Sequence, residues 1–320
     1  MSGHLWSVVL AAGAGRRLSG ITGGVPKQFW RPGDGPSLLE STLDRLAPVC
    51  PPERTVIVVG DEHRDYLRRS PQYRRRGRIL FQPHNRGTAA GVLFGLLPVL
   101  TADPDGVVIV TPSDHGIRNQ HTFRRGITEA IAHAQHPGGI VLFGIEASAA
   151  RDDYGWITLF PTPKGGGIRP VAAFVEKPDV QSASQLLSSG AVWNTMVLVA
   201  RAGAFMELCR HEHPGLTAIF EQALNLPRTA RRTFLVETYP TIETVDLSRD
   251  VLTNTQGLWA YSWPASMGWS DLGTPERWSR WLDGSSSSAS RSEPSGAGHR
   301  QPTELRTHRT ALVNHGESRP

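Results

Sequence analysis

The sequence predicts an α/β protein built on a doubly wound, mostly parallel sheet. Three observations carry this. Short apolar runs alternate with segments of helical period through the first half of the chain, the clearest at residues 5–11, 54–59 and 106–111. The first of them breaks straight into a glycine loop, Gly13-Ala14-Gly15. The third ends in Pro112-Ser113-Asp114-His115, so a carboxylate sits where open α/β sheets bind ligands, outside the carboxyl ends of their strands.

In chain order, residues 5–11 read as a buried first strand and 37–46 as a helix. Residues 54–59 form a buried strand, 79–82 a short one, and 88–100 an apolar-faced helix. The strand at 106–111 is followed by a helix at 122–136 and a strand at 140–144. The second half is less regular, with strand-like segments at 156–160, 171–176 and 192–199 and helices near 182–187 and 204–211. A helix at 275–282 closes the fold. Beyond Asp283 the chain is Ser, Gly, Arg, His and Pro with almost no apolar residues. Such a segment cannot bury enough surface to offset its ordering entropy. Residues 1–282 are therefore expected as the working domain and 283–320 as a disordered tail. No internal repeat is visible.

Composition excludes several classes. The chain of 320 residues is 39% hydrophobic and 20% charged, ordinary for a globular protein. Its net charge of +5 suits anionic substrates. No basic run is interleaved with aromatics, and Arg74-Arg75-Arg76 reads as a solvated loop, so no nucleic-acid partner is expected. Lysine occurs only at Lys27, Lys164 and Lys177. Cys50 and Cys209 stand far apart without a C-x-x-C, which fits a reducing cytoplasm and no zinc site. The first apolar run has no basic leader and reads as a strand, not a signal peptide. No stretch reaches the length of a membrane span. The sequence leaves homo-oligomerisation open.

Glycines directly after a strand let the backbone approach a phosphate with its N–H groups pointing inward. Arg17 and Lys27 can add the positive charge that a triphosphate needs. The spacing G-x-G-x-R lacks the third glycine of the dinucleotide fingerprint and the Gly-Lys-Ser/Thr of the nucleotide-hydrolase loop. Taken alone, the loop could equally be a tight strand-to-helix turn. Together with Arg17 and Pro26-Lys27-Gln28-Phe29, it resembles the opening of the sugar-1-phosphate nucleotidyltransferases, L-A-G/A-G-x-G-x-R-L followed by P-K. The P-K-Q-F form is typical of the mannose-1-phosphate guanylyltransferases and also occurs in the cytidylyltransferases of isoprenoid synthesis.

The resemblance implies roles for motifs further along. Asp114 falls in the family's P-A/S-D-H, whose aspartate binds the metal, Mg²⁺; a helix cap is the plainer reading of the residue alone. His115 is expected to orient Asp114. Gly268-Trp269-Ser270-Asp271-Leu272-Gly273 is similar to W-x-D-V/L-G, which makes Asp271 the second metal carboxylate, although Ser-Asp-Leu-Gly is also a common turn. Asp153-Tyr154-Gly155-Trp156 and Phe174-Val175-Glu176-Lys177-Pro178 resemble G-Y/W and F-x-E-K-P. There Gly155 and Glu176 would hold sugar hydroxyls and Lys177 the sugar phosphate, the alternative being a surface Glu-Lys pair. Trp193-Asn194 resembles the start of W-N-S-G-M-F, whose asparagine meets the sugar; Thr195-Met196-Val197 replace its Ser-Gly-Met. The segment from Arg86 is similar to R-N-T-A-P, with Gly87 and Ala90 in place of Asn and Pro. This segment faces base and ribose in the family, which assigns Gln82, Gly87 and Thr88 to the nucleotide beside Leu10, Ala11, Ala12, Gly13 and Gly15. Gln82 could instead merely end its strand.

The implied fold is a Rossmann-like sheet of the nucleotide-diphospho-sugar transferase type with a β-rich extension on the sugar side. The implied activity moves a nucleoside monophosphate from a nucleoside triphosphate (GTP favoured) to a sugar 1-phosphate (mannose 1-phosphate favoured), with Arg17, Lys27 and Asp114 catalytic. Motif order favours the mannose-1-phosphate guanylyltransferase group, because the isoprenoid enzymes share only the opening loop. The alternatives are a uridylyl- or thymidylyltransferase for another sugar phosphate, and a non-catalytic nucleotide-sugar-binding regulator. Longer members carry a C-terminal isomerase domain or left-handed β-helix, and neither is expected in this sequence.

Overall fold

A computed structural model describes residues 4–13, 15, 18–136, 138–161 and 167–289, with side chains described as far as Asp283. In order, the first half comprises β1 (Leu5–Ala11), α1 (Ser19–Thr22), α2 (Leu38–Leu46), β2 (Thr55–Gly60), α3 (Arg64–Arg68), β3 (Arg78–Gln82), α4 (Gly87–Ala102), β4 (Val107–Pro112), β5 (Gly116–Ile117) and α5 (Gln120–Ala134). The second half adds β6 (Val141–Glu146), β7 (Gly155–Leu159), β8 (Ile168–Glu176), α6 (Val180–Ser188), β9 (Val192–Arg201), α7 (Ala202–Glu212), α8 (Pro214–Asn225), α9 (Arg228–Thr238), β10 (Trp259–Trp263), β11 (Trp269–Ser270) and α10 (Pro275–Ala289).

Alternation within the strands builds the two faces of the sheet. Val8, Val56, Val58, Val108 and Val110 point to a core shared with α4, α7 and α8. Their neighbours Val9, Ile57, Val59, Val107 and Ile109 point to a second core shared with α2 and α5. With both faces covered, each strand reads as a continuous apolar run rather than as an alternating one.

Among the described residues, nine strands pair in the order β3-β2-β1-β4-β9-β6-β10-β8-β7. Strands β8 and β9 run against the other seven, so the direction is mostly parallel, as expected. The order reverses about β1: the chain winds outward through β2 and β3, then returns to place β4 on the other side. That crevice between β1 and β4 is the switch point where such sheets bind ligands. A separate two-stranded sheet pairs β5 with β11, Trp269 opposite Ile117 and Ser270 opposite Gly116.

The chain divides into a unit Met1–Trp281, which holds both sheets, and a second unit, Leu282–Pro320. Of the second, only residues 282–289 are described. Their backbone stays helical to Ala289, past the stop expected at 282; extending an existing helix costs far less than starting one. The rest of the expected tail lies outside the described residues.

Candidate active site

The loop after β1 is held open by its neighbours. Gly15 has φ +61°, and a Cβ there would lie 2.8 Å from the backbone nitrogen of Lys27, so both conformation and space require glycine. Gln28, buried, donates from Nε2 to the carbonyls of Ala11 (2.8 Å) and Gly13 (2.9 Å). Gln28, which also lines the cavity described below, thus ties the end of β1 to the glycine loop. Phe29 stacks on Tyr66 with ring centroids 5.5 Å apart and anchors this short turn in the core. Arg17 and Ala14 lie outside the described residues.

Asp114 follows β4 on the other wall. Helix α2 supports it from below: Thr42 donates to the carbonyl of Ser113 (3.2 Å) and Arg45 to that of His115 (3.2 Å). The helix itself starts with a capping box, Ser37 Oγ accepting from the Glu40 N–H and Glu40 from that of Ser37. Burial lowers the pKa of Arg45 to about 10, still cationic at neutral pH.

Lys27 joins the two acidic loops. Its Nζ lies 3.0 Å from Oδ2 of Asp114 and also donates to the backbone carbonyl of Asp271. The β5–β11 pair fixes this approach, because it starts two residues after Asp114 and ends one residue before Asp271. Burial alone would raise the pKa of Asp114, but the Lys27 ammonium outweighs it and holds the carboxyl below its ordinary value. Burial lowers the pKa of His115, which keeps the ring neutral; it packs edge-on against Trp269 at 5.4 Å.

The carboxylate of Asp271 has partners of its own. Oδ1 accepts from the Tyr154 hydroxyl (3.0 Å) and the Gly273 N–H (3.2 Å), and Oδ2 from Arg277 Nη1 (2.8 Å). Arg277 also pairs with Asp153 and lies over the Tyr154 ring, 4.3 Å from its centroid. Burial, with Asp271 alongside, raises the pKa of Tyr154, so its hydroxyl stays a donor.

These walls enclose a cavity of about 250 Å³. Leu10, Ala12, Gly13, Gly15, Gln82, Gly87, Thr88 and Asp114 all line it. Ala11 does not; it is buried in the core, and its carbonyl is the one held by Gln28. The Thr88 hydroxyl accepts from the Leu247 N–H (2.7 Å), and Gln82 Nε2 is buried without a hydrogen-bond partner among the described residues. A buried donor without a close partner is costly, and this side chain also acts on the Tyr239 hydroxyl nearby.

The sugar-side residues gather beside this cavity. Gly155 pairs with Glu176 across β7 and β8, and a Cβ on Gly155 would lie 2.6 Å from Glu176 Oε2 and 3.3 Å from the Cβ of Asn194. Lys177 reaches Glu176 at 3.3 Å. Burial raises the pKa of Glu176, only partly offset by Lys177. Met196 connects this group to the cavity, whose wall it also forms. Its Sδ accepts from Asn194 Nδ2 (3.3 Å) and Ser248 Oγ (3.0 Å), and its N–H donates to Asn194 Oδ1 (3.1 Å). Both ends of the Asn194 amide are therefore engaged within the protein.

The fit to Mg²⁺ is uneven. Asp114 keeps one oxygen without a close cation, 4.0 Å from His115 Nε2, and suits a hard oxygen-seeking ion. Asp271 shares its carboxylate with Arg277, Tyr154 and Gly273, so it has little lone-pair capacity left for direct ligation. Among the described residues no three of His, Cys, Asp and Glu converge on one point. An ion here would draw most of its ligands from water and substrate oxygens, as Mg²⁺ does.

The profile of the nucleotidyl transferase family matches residues 6–282. The xanthan biosynthesis protein XanB of Xanthomonas campestris pv. campestris (strain B100) is 31% identical over 284 residues, 86% of this chain and 58% of XanB. The chain belongs to the nucleotidyl transferase family. The mannose-1-phosphate guanylyltransferase ManC of Salmonella typhimurium is 29% identical over 289 residues, 84% of this chain and 58% of ManC. The chain thus spans under two thirds of the length of these relatives. Among solved structures, a mannose-1-phosphate geranyltransferase from Thermus thermophilus matches with a TM-score of 0.78 at 28% identity, over 87% of this chain and 79% of that one. A UDP-glucose pyrophosphorylase complexed with UDP-glucose shares the fold, with a TM-score of 0.61 at 16% identity over 89% and 99% of the two chains. The architecture is the nucleotide-diphospho-sugar transferase fold.

Against the family pattern, the departures in this chain have structural form. Residues 195–197 make a bulge in β9, where the register against β6 shifts between Leu142 and Gly144. Met196, in place of the family's glycine, takes φ +60° there. Lys177 (φ +45°) and Leu272 (φ +49°) are left-handed too, and each sits in a site motif. Left-handed backbone at residues other than glycine costs about 1–3 kcal/mol and persists where the surroundings enforce it. Gly87 replaces the family's asparagine at φ +84°, and a Cβ there would lie 2.1 Å from the carbonyl oxygen of Val245, so this backbone requires glycine. Three residues with structural parts in this site had no role assigned from sequence: Gln28, Tyr154 and Arg277. Gln28 and Tyr154 lie inside family motifs; Arg277 has the sequence signature of any charged helix residue.

Proposed function

We propose that the chain transfers a nucleoside monophosphate from a nucleoside triphosphate to a sugar 1-phosphate, releasing pyrophosphate. GTP and mannose 1-phosphate are the favoured pair, by analogy with the relatives named above. The reading is carried by one observation: a single lysine, Lys27, bonded to the Asp114 carboxylate and the Asp271 carbonyl, beside a glycine loop at the switch point of the sheet.

A sugar 1-phosphate oxygen is already ionised near neutrality and needs no general base. It attacks the α-phosphorus in line; the bond to the bridging oxygen of the β-phosphate breaks, and pyrophosphate leaves with that electron pair. Catalysis is then positioning and charge neutralisation. Lys27 supplies a fixed positive charge at the phosphates. Arg17, from the glycine-loop motif, takes the departing pyrophosphate. The N–H groups of Gly13 and Gly15 line the triphosphate, while Gln82 offers its unpaired amide N–H to the base. Glu176 and the Gly155 backbone hold sugar hydroxyls and Lys177 the sugar phosphate, while Asn194, its amide engaged by Met196, shapes the wall beside them. Mg²⁺, held by Asp114 and substrate oxygens, supplies further charge neutralisation when bound; Asp271 acts mainly by positioning Lys27 and Tyr154. His115, buried and neutral, positions Asp114. The free, buried thiols of Cys50 and Cys209 suit a cytoplasmic setting.

Pyrophosphate release, measured for each triphosphate against a panel of hexose 1-phosphates, tests the reading. GTP with mannose 1-phosphate is expected to give the highest kcat/KM. Tight nucleotide-sugar binding with no release from any pair would support the regulator instead.

A further inference from the structure

A second cavity, of about 1230 Å³, shares no lining residue with the glycine-loop cavity. It lies between the sheet-edge strand β3, helix α4 and the start of α9. Its walls are apolar, formed by Phe81, Phe94, Leu97, Pro98, Leu226 and Leu235. Its rim is cationic: Arg64, Arg78, Arg228, Arg231 and Arg232 line it with His84, and Asp61 is the one carboxylate among the lining residues.

Two of these arginines have structural employment. Arg64 donates from Nε to Asp61 (2.7 Å) and lies over the Phe81 ring at 4.0 Å. Arg231 is spent on the carbonyls of Ala223 (2.8 Å) and Leu224 (2.9 Å) and the Thr101 hydroxyl (2.9 Å), which ties α9 to α8 and α4. The side chains of Arg78 and Arg228 make no hydrogen bond or ion pair with a described residue, and Arg232 makes no hydrogen bond but lies near enough to Asp61 to help hold its pKa down. Burial lowers the pKa of Arg78, and Arg228 and Arg231 lower it further, so like charges face one another here. A concave apolar wall ringed by one sign of charge focuses that field on whatever enters.

We propose that this cavity is a second ligand site that takes an organic phosphate with an apolar or planar body. Guanidinium forks match phosphate oxygens in geometry as well as charge, and the apolar walls match the body. The volume leaves ample room to enclose a small organic ligand. A second copy of this face is disfavoured, since it would bring arginines against arginines.

The site touches the elements that build the first cavity. Along one segment, Gln82 faces the glycine-loop cavity, Pro83 and His84 the outer one, and Asn85, Gly87 and Thr88 the inner one again. Helix α4 does the same, with Gly91 inward and Phe94 and Leu97 outward.

The test is calorimetric titration of the full chain beside the triple variant Arg78→Ala/Arg228→Ala/Arg232→Ala, which leaves the inner cavity untouched, so it does not depend on catalysis. Dodecyl phosphate and guanosine diphosphate serve as probes and separate a lipid-like source from a nucleotide. One of them is expected to bind the wild type saturably at a site whose affinity is at least about ten-fold weaker in the variant, whatever it does at the inner cavity. The three side chains are exposed, so the melting temperature of that variant should match the wild type. Absence of saturable binding by either probe would overturn the proposal. So would equal affinity for the variant, or binding of poly-glutamate alone, which would assign the face to an acidic protein.

Discussion

Lys27 Nζ stands 3.0 Å from Asp114 Oδ2 and bonds the carbonyl of Asp271, 244 residues away in the chain. One buried ammonium thus closes a ring formed by the turn after β1, the loop after β4 and the β5–β11 pair.

Replacing Lys27 by Met leaves the Asp114 carboxylate without its cation. Asp114 titrates below its ordinary value in the folded chain, so its pairing stabilises the fold above the unfolded pKa and is lost as pH falls through the folded one. With its main opponent to burial removed, the carboxyl should titrate higher. Lys27→Met is expected to cost about 1–3 kcal/mol at neutral pH and to move the acid-unfolding midpoint, followed by circular dichroism, to higher pH. An unchanged midpoint would show that the pair contributes nothing.

Glu176 has the opposite sign. Burial raises its pKa, so its ionisation opposes folding: the protein gains nothing from it below the unfolded value and loses stability as pH rises through the folded value. Glu176→Gln should therefore melt higher than the wild type at pH 7.5, by a margin that shrinks towards pH 4. The same variant should raise the sugar-phosphate KM about ten-fold, through a lost charge-assisted hydrogen bond of about 1.5 kcal/mol or more. Parallel melting curves at the two pH values would contradict the burial argument.

Gln28→Ala removes both donors that hold the carbonyls of Ala11 and Gly13. Leaving buried acceptors unmade costs about 1–3 kcal/mol. Because Gln28 fixes the glycine loop and lines the cavity beside it, the triphosphate KM should rise several-fold while the sugar-phosphate KM holds. Steady-state kinetics varying each substrate in turn separates the two.

Met196 inverts the usual ranking of small residues. In an ordinary strand glycine is about 0.5–1 kcal/mol worse than alanine. At φ +60° the Cβ itself is the liability, by about 1–2 kcal/mol. Met196→Gly should melt higher than Met196→Ala, which is checked by calorimetry of the two variants. Opening this wall should also change the order of preference among hexose 1-phosphates more than that among triphosphates.

Much of this was legible in the sequence. The apolar runs that became β1, β2 and β4 are buried on both faces and so carry no polar alternation to confuse them. The glycine loop and Asp114 announce the switch point through residue types that chemistry needs. What stayed hidden was of three kinds. Helix α9 buries one residue, Leu235, and has too thin an apolar stripe to show a period. Strands β5 and β11 have two residues each, below any periodicity, yet they bring Asp271 to Lys27. The left-handed backbone of Met196 and the Arg277 pair to Asp271 depend on contacts between distant segments. Neither sequence pattern nor propensity reports those.

The most direct test of the central claim is pyrophosphate release from GTP and mannose 1-phosphate, measured with and without Mg²⁺ for the wild type and Asp114→Asn. The account predicts Mg²⁺-dependent release that falls by at least about 10²-fold in the variant, with triphosphate binding retained. Equal release by the two proteins, or none from the wild type with any triphosphate and hexose 1-phosphate, would contradict it.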